Sequence, residues 1–268
     1  MSSTRTDARP HRTTPTQVTG ELLVTLGVVL LLFAFYEAFW TNVEAGKLQD
    51  DAAANLDQRW QQQRTNPRVH HTPELGEAFA QMYIPAFGSD YAFAIIEGTS
   101  DEALYAGPGH YEDTQMPGEA GNFAVAGHRV GKGAPFNDLG QLEVCDAIVV
   151  ETATQWLTYR VLPLSDDPAS REAEASGCLV PEQVQRVAHG DYAHVEGRHI
   201  TLPGNVSVLE PVPGVHSDGE VGQSLESVIT FTTCHPQFSN AERMIVHAMQ
   251  TDAMDKSAGR PAAFDETV

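Results

Sequence analysis

Hydrophobic and polar positions follow three different rhythms along the chain. From Leu22 to Tyr36 there is no charge, and apolar character resumes after Glu37 with Ala38, Phe39 and Trp40. This run supplies roughly the 17 to 25 residues that a membrane-crossing helix needs. Beyond it, Leu48, Ala52, Leu56 and Trp60 recur at every fourth position in a segment rich in Ala, Gln, Glu and Asp, which predicts a helix serving as a stalk or a packing seam. Asn66-Pro67 ends that pattern, and the polar stretch to Pro73 reads as a linker.

After Glu77 the rhythm shortens to two. AQMYIPAFG and YAFAIIEG read as two short strands joined by a turn, with Pro85 placing the first at an edge or bulge. Asp101 to Tyr105 has room for one helical turn, and GPGHYEDTQMPGEAG is too rich in Gly and Pro to be anything but loop. NFAVAGHR is the next strand, with His128 at its end. EVCDAIVVET and QWLTYRVLP form a hairpin, and Ser165 to Gly177 reads as an exposed polar insertion. PEQVQRVAHG suits a short helix, while GRHITLPG and VSVLEPV suit further short strands. In SVITFTTCHP, Val228, Thr230, Thr232 and Cys234 alternate with Ile229, Phe231 and Thr233 until Pro236 stops the ladder. Cys234 is thus expected at a strand's end. A second apolar run from Met244 to Ala248 has Arg243 at its entrance. Many short strands, Gly/Pro-rich turns and little helix predict a mostly β fold, a small barrel or sandwich.

The chain divides into a polar tail (1–17), a membrane anchor (18–40), a helical stalk and linker (41–76), a β domain (77–254) with an insertion around 165–200, and a tail (255–268) expected to be disordered. Arg5, Arg9 and Arg12 against a single Asp7 predict a cytoplasmic N-terminus and an exported remainder. A cleavable signal peptide is the competing reading, but no small-residue cleavage site follows the apolar run.

Charge narrows the function. With 16 Lys+Arg against 36 Asp+Glu and a formal net charge of -20, the chain has no broad phosphate-binding surface, and nucleic acid is not expected as a partner. The three cysteines are Cys145, Cys178 and Cys234, and an exported protein permits a disulfide. If Cys234 is the reactive thiol, Cys145 and Cys178 remain either as a pair or as two buried thiols.

A cysteine nucleophile works as the thiolate and needs a base or cation close by, for which His is best matched near neutral pH. His128 also ends a strand. His235 adjoins Cys234, but successive strand side chains point to opposite faces. The other histidines show no metal-ligand spacing, so neither a metal nor a cofactor is expected.

FAVAGHR around His128, TFTTC ending at Cys234 and NAERMIV around Arg243 follow one another in that order beyond an apolar anchor. Over about Met82 to Met249 the chain in these motifs resembles the sortase transpeptidases, and within them the actinobacterial class E branch. The resemblance implies a sortase-like closed β-barrel of about eight strands with short helices. It implies Cys234 as nucleophile, His128 as acid/base and Arg243 as oxyanion or peptide donor. GPGHY, ending at Tyr111, is similar to the class E segment whose tyrosine lines the substrate pocket; Tyr111 and Thr233 are the substrate-binding residues so implied. Substrates would be exported proteins with C-terminal LAxTG-like or LPxTG-like sorting signals, cleaved between Thr and Gly. The acceptor would be an amine of a peptidoglycan precursor, and the enzyme a single-pass plasma-membrane protein with its catalytic domain outside.

Three features depart from the family pattern: Phe231 where Leu is usual, Cys145 where Gly usually precedes Asp, and a longer connection between Arg160 and Val206. The last two suggest that Cys145 and Cys178 pin the insertion to the barrel. An L,D-transpeptidase would want Ser-His-Gly before its cysteine, where this chain has Phe-Thr-Thr. A catalytically silent, membrane-tethered binding or scaffold domain with the same barrel is the alternative from another class.

Overall fold

The computed structural model of the protein describes residues 14–65, 72–216 and 224–266. Of the tail expected over 1–17, residues 1–13 lie outside the described part, as do 66–71 of the linker and 267–268 at the C-terminus. Helix α1 (Pro15–Phe35) opens with the Thr14 hydroxyl accepting from the Gln17 N–H and Pro15 in its first turn, both favourable helix starts. No residue of α1 is buried by the rest of the chain, although it is apolar all round, as a helix solvated by lipid would be. One π-helical turn, Tyr36–Trp40, leads into α2 (Thr41–Thr65).

Helix α2 is not a free stalk. Its stripe lies on the barrel, with Leu56 and Trp60 buried against Ala78, Ala94 and Ile96. The Gln49 side-chain amide bonds both the Ala94 N–H and the Ala106 carbonyl, and Arg59 pairs with Glu77. At the far end, the Lys256 ammonium sits 4.1 Å from the Trp60 ring centroid and 2.5 Å from a Glu151 oxygen. The every-fourth-residue spacing therefore marks a packing seam.

The strands are β1 (Ala78–Tyr83), β2 (Ala92–Glu97), β3 (Gly109–His110), β4 (Gly121–Ala126), β5 (Ala147–Glu151), β6 (Gln155–Val161), β7 (Arg198–Thr201), β8 (Ser227–His235) and β9 (Glu242–Asp255). Helix α3 (Asp101–Ala106) follows β2, and α4 (Pro168–Ala175) and α5 (Pro181–His189) follow β6. Eight strands close a ring in the order β6-β5-β1-β2-β3-β4-β8-β9, with β6 pairing back to β9 and β7 added along β9. The length of β9 makes closure possible. Its first part pairs with β8 and β7, and its second part, Ala248 to Asp255, pairs with β6. The expected closed barrel of about eight strands is therefore present.

Inside the barrel, Met82, Ile95, Phe123, Val125, Ile148, Leu157, Ile229, Phe231 and Val246 form the main core. Phe231 packs on Phe136 with ring centroids 4.9 Å apart, so the interior accommodates its larger side chain. A second apolar cluster joins Leu179, Val184, Val187 and Tyr192 to Val228 and Met249, covering part of the outer face of β8 and β9.

Three local expectations are corrected. The insertion is a packed unit built on α4 and α5, because Arg171, 1% exposed, donates to the carbonyls of Val187, Ser165 and Val195 at 2.8, 3.0 and 2.8 Å. A guanidinium with that many carbonyl partners organises a loop-rich segment from within. VSVLEPV is not a strand: Val206–Leu209 forms a 3-10 turn, and the Val208 and Glu210 carbonyls take hydrogen bonds from the Asn122 side chain instead of a neighbouring strand. The segment after Asp255 is ordered through Glu266. Ala263 is buried, Phe264 packs edge-on to Tyr83 and Trp156, and Arg160 pairs with Glu266 at 2.5 Å.

Cys145 and Cys178 are disulfide-bonded across a separation of 33 residues. Cys145 has φ 70°, the left-handed region in which glycine costs least. Replacing both cysteines with serine is expected to destabilise the domain by about 3 to 4 kcal/mol, from the loop freed in the unfolded chain. Thermal unfolding of the oxidised protein and the double variant checks this.

Candidate active site

The site is built at one mouth of the barrel by strands whose directions the pairing fixes. β4 runs parallel to β8, with Ala126 opposite Thr232. The two residues beyond Ala126 are Gly127 and His128, and the two beyond Thr232 are Thr233 and Cys234, so histidine and cysteine leave neighbouring strands at the same level. β9 runs antiparallel to β8 and places Arg243 directly opposite Cys234. The three candidates are thus brought together although β5, β6, β7 and the helices α4 and α5 lie along the chain between them.

Alternation along β8 decides what each side chain can do. Ile229 and Phe231 point into the core. Thr233 shares their parity, is 3% exposed, and donates its hydroxyl to the Gly127 carbonyl at 2.8 Å. Thr233 was expected among the substrate contacts. In this structure its hydroxyl ties β8 to the carbonyl just beyond β4. Thr230, Thr232 and Cys234 carry the opposite parity. Cys234 is partly exposed and its sulfur lies 3.5 Å from Asn240 Oδ1.

His128 is half-buried, with Nε2 inaccessible and without a hydrogen-bond partner among the described residues. Burial first, and the nearby Lys132 ammonium second, hold its pKa below the usual imidazole value, with Asp101 opposing. A neutral ring with an unpaired nitrogen is suited to exchanging a proton with a group at the barrel mouth. Arg243 donates to the Glu242 carbonyl at 3.0 Å, which leaves most of its five donors for a ligand.

Tyr111 donates to or accepts from Thr232 Oγ1 at 3.0 Å. Thr232 is two residues, about 7 Å, before Cys234 on the same strand face. Tyr111 also lines a groove of ≈ 500 Å³ between Glu112 to Thr114 and Val206 to Pro211. Its loop is anchored by buried His110, whose ring nitrogens lie 2.9 Å from Glu97 and 3.0 Å from the Thr114 hydroxyl.

Sequence reasoning missed several supporting residues. Asn122 holds the opposite wall through Val208 and Glu210, and its Oδ1 accepts from Thr230 at 2.6 Å. Thr230 in turn meets His247 Nδ1 at 2.8 Å, and burial keeps His247 neutral, its pKa lowered to about 3. Arg129 Nη1 lies 2.7 Å from His235 Nδ1 and 3.4 Å from the Cys234 carbonyl. An asparagine opening an apolar strand and an arginine following the strand-end histidine were the available signals. Among the described residues no group of His, Cys, Asp and Glu is arranged to hold a metal.

Residues 82–251 match the sortase domain family. The sortase SrtE1 of Streptomyces coelicolor is 34% identical over 252 residues, covering 91% of this chain and 60% of that protein, so the chain spans less than two thirds of this relative's length. Among solved structures, the SrtF sortase from Corynebacterium diphtheriae superposes with a TM-score of 0.72 at 63% identity, over 75% of this chain and 98% of the other. Sortase E1 from S. coelicolor, solved with a tripeptide in the active site, gives a TM-score of 0.51 at 30% identity, over 72% and 99%. By family match, by similarity to class E relatives and by fold, this chain belongs to the sortase family of cysteine transpeptidases.

Proposed function

We propose that the protein is a membrane-anchored class E sortase that cleaves an LAxTG-like or LPxTG-like sorting signal between Thr and Gly. The acyl group passes through a thioester on Cys234 to an amine of a peptidoglycan precursor. The carrying observation is the register that sets Cys234 against Arg243 while parallel pairing brings His128 to the same level.

In the first half-reaction, the Cys234 thiol gives its proton to neutral His128, and the thiolate attacks the threonine carbonyl. Arg243 supports the oxyanion. The C–N bond then breaks as the His128 imidazolium protonates the departing glycine amine, leaving a thioester. In the second, an acceptor amine attacks the thioester, His128 takes its proton, and the thiolate leaves and regains a proton from His128. Tyr111, beside Thr232 and lining the groove, is suited to receive the peptide residues before the threonine. α1 is long and apolar enough to cross a membrane, and the arginine-bearing segment before it favours a cytoplasmic N-terminus and a catalytic domain on the outer face of the plasma membrane.

The test incubates a chain beginning at Thr41, which retains α2 on the barrel, with LAxTG and LPxTG peptides and an amine. Mass spectrometry separates hydrolysis from transfer, and absence of any thioester, cleavage or transfer product with either peptide overturns the reading. A pH dependence is also expected. Because the folded environment depresses the His128 pKa, the ring stays neutral as pH falls through the ordinary imidazole value of about 6.5 and is lost as base only below it. The acid limb of kcat/KM for acylation should therefore lie below that value, as stopped-time assays across pH would measure.

A further inference from the structure

The first turn of α2, directly after the aromatic residues that end the apolar run, is bonded to the loop that follows His128. Thr41 Oγ1 accepts from the Lys132 N–H at 3.5 Å, and Asn42 Oδ1 accepts from the Gly133 N–H at 3.0 Å. Thr41 and Ala45 are 5% and 3% exposed. The other end of α2 holds the opposite end of the barrel, where Trp60 meets Ala78 and Lys256. At 1.5 Å per residue, these two contacts are roughly 25 to 30 Å apart along the helix. The helix therefore fixes which end of the barrel is nearest α1.

That end carries the active site. β4 and β8 both run toward it, and the loop after Cys234 is tied to it by Arg129 to His235 at 2.7 Å and by Gln237 Nε2 to Asn137 Oδ1 at 3.0 Å. On the same loop Phe238 is 88% exposed with φ 63°. A bulky aromatic held outward in the left-handed region is costly in water. At the helix junction Tyr36, Phe39 and Trp40 are exposed by 49%, 56% and 57%, a composition suited to headgroup depth.

We propose that the barrel is seated end-on on the bilayer that α1 crosses, with Lys132 and Phe238 at the lipid headgroups and the Cys234 thiol opening at the membrane surface. The partner is the lipid surface itself. The proposal rests on the membrane-anchored reading above and adds an orientation to it. It accounts for the exposed Phe238, and it implies that peptides and acceptor amines themselves held at the bilayer meet the thiol without leaving the headgroup layer.

The test uses the full chain with Cys234→Ala, so that an introduced thiol is the only free one. Lys132→Cys, Phe238→Cys and, at the opposite end, Ala258→Cys are each labelled with an environment-sensitive fluorophore. They are reconstituted into phosphatidylcholine and phosphatidylglycerol vesicles carrying headgroup nitroxide lipid. The expected result is loss of fluorescence at 132 and 238 and none at 258. An unquenched probe at 132 or 238 on vesicle-bound protein, or quenching at 258, overturns the seating and leaves the anchored reading intact. Protein that fails to partition into vesicles overturns both. Gln237→Cys serves as the loop probe if the Phe238 variant does not fold.

Discussion

Cys234→Ala is expected to form no acyl-enzyme at all. Wild-type protein incubated with a sorting peptide without amine should gain the mass of the peptide acyl fragment, released by hydroxylamine, and the variant should not. The loss is absolute because no other residue of suitable chemistry replaces the thiol. Cys145 and Cys178 are joined to each other, and the neighbouring Thr233 hydroxyl is buried and committed to the Gly127 carbonyl. Cys234 is only partly buried, so the truncation leaves little cavity, and the melting temperature should barely move. A thioester adduct that survives the substitution would falsify the assignment, and a wild-type thiol inert to alkylating reagents would favour a silent scaffold.

Arg243→Ala is expected to lower kcat for acylation by about 100 to 1,000-fold, the usual loss when one oxyanion donor is removed from a preorganised site. The side chain makes a hydrogen bond to the adjacent Glu242 carbonyl and sits partly exposed, so its removal should not unfold the barrel. If the guanidinium acts on the transition state, kcat falls while KM stays close to the wild-type value. Arg243→Lys should recover only part of the rate, because an ammonium keeps the charge but not the forked donors. A rise in KM with kcat unchanged would instead make Arg243 a peptide-binding group.

Much of the site was legible because its residues end strands. The alternation from Val228 to Cys234 and the stop at Pro236 put the thiol at a strand mouth, and the apolar NFAVAG run did the same for His128. The surroundings of Thr233 were less legible for a related reason. Alternation says that Thr232 and Thr233 face opposite ways, but which of the two faces the core depends on the sheet's closure and on the Gly127 carbonyl that the Thr233 hydroxyl meets. Tyr111 has no local periodicity to place it, and only its bond to Thr232, from a loop 121 residues away, brings it to the strand that carries the thiol.

The helical segments show the same division. Leu48, Ala52, Leu56 and Trp60 predicted a helix with one apolar stripe, but a stripe states that something must cover it and not what does. The cover is the barrel wall at Ala78, Ala94 and Ile96. In the insertion, polarity suggested exposure from Ser165 to Gly177, whereas Arg171 is buried among carbonyls supplied by residues on both sides of it in sequence. Composition cannot separate a solvated arginine from one that a fold surrounds.

The sequence by itself determined the long apolar N-terminal helix, the β-rich domain, and a thiol, an imidazole and a guanidinium each at a strand terminus, because length, alternation and proline breaks are local properties of the chain. Tertiary structure alone decided that β4 lies parallel beside β8 and that β9 closes the ring against β6. It also decided that Cys145 meets Cys178 and that α2 ties the candidate-site end of the barrel to the apolar helix α1. Those are pairings between distant segments, set by which buried surfaces and backbone hydrogen bonds can be satisfied together, and no window of sequence contains both partners.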